Sequence, residues 1–103
     1  MTDPSSLNRQ DIIKVMLTEV DGLTASMAGA SLEAVITCIT QALADHKSVS
    51  INNFGKFGVR YRRSRLGIHP HTQTEIQIPA TNVPYFTPSV SLKQRVNQPL
   101  NHG

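Results

Sequence analysis

Apolar positions fall at helical spacing in the first half of this 103-residue chain and alternate in the second. Ile12, Ile13, Met16, Leu17 and Val20 recur every three or four residues, which predicts one apolar helical face. Asn8 ahead of that run suits an N-cap, and Asp11 puts an acid in the first turn, where the helix dipole favours it. Asp21-Gly22 stops this helix. Thr24 caps a second, in which Met27, Ala30, Ala34, Val35, Cys38, Ile39, Ala42 and Leu43 keep helical spacing. Leu32 and Ile36 lie off that stripe, so the second helix is apolar on more than one side. In so small a chain, such a helix predicts burial by a partner and hence a dimer.

From Ser48 the period changes to two. Val49 and Ile51 alternate with serines, and Phe57, Val59 and Tyr61 continue after a turn at residues 53–55. Ile76 and Ile78 alternate on a returning strand, which leads on through Pro79, Val83 and Pro84. Between the two runs, residues 65–74 hold a glycine, a proline and two histidines with almost nothing apolar to pack. This predicts a tip that is mobile without a ligand. Pro88 suits the first turn of a short last helix, with Thr87 as cap and Leu92 and Val96 facing inward. Pro99 stops it. Residues 1–6 read as a flexible lead-in and 98–103 as a frayed tail.

Charge matters here through its distribution. The net charge is +3. Residues 1–47 carry Arg9, Lys14 and Lys47 against Asp3, Asp11, Glu19, Asp21, Glu33 and Asp45, a net −3. Residues 48–103 carry Lys56, Arg60, Arg62, Arg63, Arg65, Lys93 and Arg95 against Glu75 alone, a net +6. Such asymmetry predicts a basic working face on a neutral or acidic body, the bland alternative being a solubilising charged strand.

Most of that charge lies between Asn53 and Thr72, NFGKFGVRYRRSRLGIHPHT. Five bases, three aromatics, three glycines and one proline occupy these positions, with no acid among them. Phe54 and Phe57 read as an apolar base, the arginines as an extended segment, and Gly67 with Pro70 as its tip. A cationic two-stranded arm with an apolar wedge is what lies in a DNA groove and kinks it. The cations neutralise phosphates and release counterions.

At these residues the chain resembles the bacterial HU and integration host factor family of DNA-bending proteins. The family's glycine-phenylalanine turn, arginine-rich arm and R-x-G-x-N-P-x-T ending are matched by Phe54, Gly55, Phe57, Arg62, Arg65, Gly67, Pro70 and Thr72. The resemblance covers residues 7 to 98, including Val83-Pro84-Tyr85-Phe86 and Leu92-Lys93. Asn53 and Gln73 stand where the family commonly has glycine, His69 where it has asparagine, and Ile68 where it is commonly basic. Fewer charges at the tip predict a weaker grip.

The resemblance implies an α+β fold. It would have an N-terminal helical hairpin, a three-stranded antiparallel sheet with an extended β-ribbon arm and a short C-terminal helix, in an intertwined dimer. One DNA-binding domain over 1–103 is expected, with a helical dimerisation body (7–47), sheet and arm (48–86, tip 65–74) and last helix (87–97). Phe54, Phe57 and Phe86 are expected in the intersubunit core. Two copies of Pro70 per dimer would each unstack a base step from the minor-groove side. A lone His-Pro step is otherwise an ordinary turn.

Among the cations, Arg62 and Arg65 match the family motif, Arg60 follows, and Arg63 stands where the family is often small and apolar. In a flat strand Arg60 and Arg62 share one face, Arg63 and Arg65 the other. Lys93 matches a phosphate-touching position of the last helix and Arg9 a basic position at the start of the first. Lys56 sits at the base of the arm. For these three, a solvated surface charge is the plain alternative. Thr87 and Val90 are neutral where the family is often basic, which thins the DNA track.

Other signals exclude. Cys38 is the only cysteine, so no internal disulfide forms, and on an apolar stripe it reads as packing. His69 and His71 are too few ligands for a metal site, although protonated histidines would add charge to the tip. No unbroken apolar run reaches membrane-span length and no secretory leader is visible, so a cytoplasmic, nucleoid-associated protein is expected. No catalytic constellation appears, so no enzyme, cofactor or small-molecule substrate is expected. Double-stranded DNA is the expected partner, mostly independent of sequence, with the chain as a homodimer or paired with a paralogue. Two alternatives stay open: a sequence-specific bender like integration host factor, and an interaction protein that pairs with and modulates another HU-type subunit.

Overall fold

The structure, a computed structural model, describes residues 5–99; the rest of the expected lead-in (1–4) and tail (100–103) lies outside them. The fold class is the expected one, with two helices, an antiparallel sheet, a β-ribbon and a short last helix in chain order. The chain divides into two compact units, Met1–Thr40 and Gln41–Gly103. That division falls inside the second helix.

Helix α1 spans Arg9–Glu19. Its start is a reciprocal cap: the Asn8 side chain accepts from the Asp11 backbone N–H, and the Asp11 carboxylate accepts from the Asn8 N–H, each at 3.0 Å. Gly22, at φ 80°, turns the chain after it. Helix α2 spans Ala25–Ala44, with Thr24 Oγ1 accepting from the Met27 N–H at 3.1 Å. It ends in a Schellman pair, Lys47 N–H to Ala42 C=O at 2.8 Å and His46 N–H to Leu43 C=O at 3.0 Å. His46 takes the left-handed position of that motif, at φ 59°, where glycine sits without a steric penalty.

Ala28 is completely buried, and it is the only buried apolar side chain among the described residues. A methyl on neighbouring Gly29 would lie 4.0 Å from Ile13 Cδ1, so α1 meets α2 here. Ile12, Leu17 and Val20 of the expected α1 face, and Met27, Val35 and Ile36 of α2, stay exposed. Cys38, on the stripe expected to pack, is exposed too. By length and composition alone α2 is long and apolar enough to cross a membrane, at a mean hydropathy of 1.4. This corrects the expectation drawn from unbroken apolar runs, which Ser26, Ser31, Glu33 and Thr37 interrupt.

Strands β1 (Val49–Ile51), β2 (Gly55–Arg62) and β5 (Thr81–Pro88) form an antiparallel sheet in the order β1-β2-β5. Strands β3 (Arg65–Ile68) and β4 (Glu75–Ile78) form a separate two-stranded ribbon. Arg62 pairs with Thr81 on one side of the gap and Arg65 with Ile78 on the other, so the same register runs through both ladders. Pro79 faces Ser64 in that register and has no N–H to donate, so the ladder lapses for two pairs without a bulge.

The β1–β2 turn places Asn53 at φ 63°. Phe54, Phe57 and Phe86 form one cluster, with ring centroids 4.8 to 6.4 Å apart. Gly55 is obligatory beneath it. A Cβ there would lie 2.5 Å from the Phe86 ring and 2.6 Å from the Thr87 carbonyl oxygen.

Helix α3 spans Val90–Val96, later than expected. Thr87 is not its cap and Pro88 is not in its first turn: both still pair across the sheet, with Lys56 and Gly55. The helix can start only after the chain leaves the ladder. Ser89 then caps it, Oγ accepting from the Leu92 N–H at 3.1 Å while its own N–H bonds to the Phe54 carbonyl at 2.9 Å. Leu92 is half-buried as expected, whereas Val96 is exposed.

Replacing His46 by glycine should raise unfolding stability by about 1 kcal/mol, the left-handed penalty less the added unfolded-state entropy. Urea unfolding at fixed protein concentration would show it; an unmoved midpoint would mean position 46 carries no such penalty.

Candidate nucleic-acid interface

Strand alternation divides β2 into two unlike faces. Gly55, Phe57, Val59 and Tyr61 share one, which carries the phenylalanine cluster. Lys56, Gly58, Arg60 and Arg62 share the other with their partners Thr87, Tyr85, Val83 and Thr81. The same pattern that packs the aromatics therefore turns three cations away from them. Lys56, Arg60, Arg62, Arg63 and Arg65 are all exposed.

Arg60 is held by an aromatic platform that the sequence reading did not single out. Its guanidinium carbon stands 4.8 Å from the centroid of the Tyr85 ring. Tyr85 can lie there because Gly58, its cross-strand partner, has no side chain: a Cβ would come within 2.5 to 2.8 Å of the ring and hydroxyl. Only the pairing register reveals this arrangement. A guanidinium over a ring at the protein surface gains about 0.5–1 kcal/mol and loses freedom before any ligand arrives.

Arg63 lies in the gap between the ladders, and Arg65 opens β3 opposite Ile78. The two are thus not neighbours on one continuous flat strand, and alternation does not force them onto a common face. At the far end, the His69 N–H donates to the Thr74 carbonyl at 2.8 Å and the Gln73 N–H to the His69 carbonyl at 2.9 Å. His69 Nδ1 accepts from the backbone N–H groups of His71 and Thr72 at 3.2 and 3.4 Å. Gln73 Nε2 donates to the Pro70 carbonyl at 3.3 Å. The tip is thus a hydrogen-bonded turn that presents Pro70 to solvent. Gln73 sits at φ 60°, so both residues standing where the family has glycine, Asn53 and Gln73, are left-handed. Asparagine tolerates that region far better than glutamine.

The His69 and His71 rings lie 5.8 Å apart, and among the described residues no three His, Cys, Asp or Glu converge as metal ligands.

Outside the arm, Arg9 Nη1 donates to Glu33 Oε2 at 2.5 Å, both side chains being largely exposed. Its charge is already shared, although an exposed pair of this kind separates cheaply. Lys93 lies in the last turn of α3 with Arg95, another cation the sequence reading left aside.

A family model described as bacterial DNA-binding protein matches residues 7–97. The chain belongs to this family. A DNA-binding protein HU from Staphylococcus aureus is 39% identical over 90 residues, 87% of this chain and 99% of that protein. An integration host factor subunit beta from Marinobacter nauticus is 27% identical over 97 residues, 94% of this chain and 99% of the other. An Anabaena HU–DNA cocrystal structure superposes with a TM-score of 0.81 at 30% identity, covering 90% of this chain and 100% of that one. The family is one of non-enzymatic, architectural proteins that bind DNA and work as dimers.

Removing the platform under Arg60 should weaken DNA binding without unfolding the protein. Tyr85→Leu is expected to lower affinity about threefold at low salt, the cost of one exposed cation–π contact. Fluorescence anisotropy on a short duplex, with melting as control, would register it; unchanged affinity would make the stack incidental to binding.

Proposed function

We propose that this protein bends or compacts double-stranded DNA, mostly independently of sequence, by laying its two arms in the minor groove and wedging Pro70 between base pairs. The observation that carries the reading is an exposed proline at the apex of a ribbon held in one register from the sheet to its tip. Cations line the strand that leads into that ribbon and its first position. Arg62 and Arg65 grip phosphates along the groove, Arg60 does so from its tyrosine platform, and Arg63 and Lys56 add to the same field. Lys93 of α3 reaches flanking phosphates, and Arg9 joins only after leaving Glu33.

Insertion of each proline costs a few kcal/mol of stacking, offset by the protein surface that bent DNA can reach. Contacts to phosphates and shape carry little base information, so flexible, nicked or gapped sites are favoured over a sequence code. The working unit is a homodimer of one domain over residues 1–103, with 7–47 as its dimerisation body. A second copy supplies complementary apolar faces to α2, and Phe54, Phe57 and Phe86 lie in the shared core. Binding to the nucleoid in the cytoplasm follows from the ligand.

Two outcomes check this reading. Pro70→Ala should abolish most of the bend seen by energy transfer between duplex ends and lower affinity for gapped DNA about tenfold, the loss of one wedge in each arm. Wild-type bending that persists in Pro70→Ala would assign the wedge elsewhere. Phe57→Ala should cost about 3–5 kcal/mol and shift the protein towards unfolded monomer in sedimentation and melting. Untouched dimerisation would remove Phe57 from the interface.

A further inference from the structure

We infer that the arm tip makes a second, apolar contact with DNA through Leu66 and Ile68, and that this contact sets its preference for distorted duplex. The inference rests on the DNA-binding reading above and adds to it a ligand surface built on apolar side chains and free of cations.

The register separates the two faces of the β3–β4 ribbon. Arg65, Gly67, Ile76 and Ile78 share one face, Leu66, Ile68, Glu75 and Gln77 the other. The first face closes on itself. Ile78 folds across Gly67 so tightly that a Cβ there would lie 2.6 Å from Ile78 Cδ1, and Ile76 beside it is 39% exposed. Nothing comparable covers the second face, where Leu66 is 68% and Ile68 64% exposed. These are among the barest large apolar side chains in the molecule, and Pro70 stands two residues beyond them.

Three features assign this face to bases and sugars. Apolar groups clustered in water mark an interaction surface, and here they adjoin the proposed wedge. Phosphate is excluded as the ligand, because the face holds no cation and Glu75 stands opposite Ile68. Leucine and isoleucine are also among the side chains that minor-groove proteins press into opened base steps. A face of this chemistry gains most where the step is already unstacked, and its contribution is nearly independent of salt, since it displaces no counterions.

The test compares wild type with Leu66→Thr/Ile68→Thr, whose β-branched side chains keep the ribbon, and with Ile68→Lys. Affinity for intact and gapped duplexes is measured across a salt series, with melting and sedimentation as controls. The double variant should bind gapped DNA about tenfold more weakly, intact DNA almost as before, with the slope of log affinity against log salt unchanged. Ile68→Lys should tighten binding to both duplexes, steepen the slope by about two per dimer and narrow the discrimination. A folded double variant that still prefers gapped DNA as strongly as wild type overturns the apolar contact alone. Loss of self-association with DNA discrimination intact assigns the face to protein and overturns it as well. Wild-type protein that binds no duplex at low salt overturns the DNA reading itself.

Discussion

Among the described residues Ala28 is the only completely buried apolar side chain, so the chain has little interior of its own to hold it together. Burial of apolar surface is the dominant favourable term in folding, and a small chain has little inside to offer. Its helices and sheet instead present apolar surface outward: Met27, Val35 and Ile36 on α2, Phe54 and Phe86 on the sheet. Members of the family function as dimers, and apolar surface of this kind is what a second subunit can bury. The same shortage explains why α2 passes for a membrane helix by composition.

Beyond the three-stranded sheet the chain continues as a separate two-stranded ribbon. The ribbon beyond Arg62 contributes little to any interior, so its residues answer to the ligand. Its rigidity comes from backbone pairing in one register, lapsing only where Pro79 has no N–H to give. At its base, Gly58 makes room for Tyr85 and Tyr85 holds Arg60, so one missing side chain helps to orient a cation.

Much of this was legible residue by residue. Asn8 and Thr24 are caps because their side chains satisfy free N–H groups of the adjoining turn, a local requirement, and Asp11 is the expected acid of the first turn. The change of period at Ser48 and the cationic run after Phe57 are local too, and they located both the sheet and the arm. The start of α3 was not legible. Thr87 and Pro88 suit a helix start, yet the sheet claims both, and pairing with Lys56 and Gly55 is a long-range matter. Tyr85 was missed for the same reason: its role exists only opposite Gly58.

The sequence by itself determined the kinds and order of elements, the segregation of charge and the need for a partner. Each depends on periodicity and composition within a few residues. Tertiary structure alone decided which side chains meet: the phenylalanine cluster, the Arg60–Tyr85 stack, the pairing of Arg9 with Glu33, and the bare face of Leu66 and Ile68. The physical reason is register. A strand's alternation says which residues share a face, but only its pairing says what lies opposite them, and a one-residue slip would reverse every such assignment.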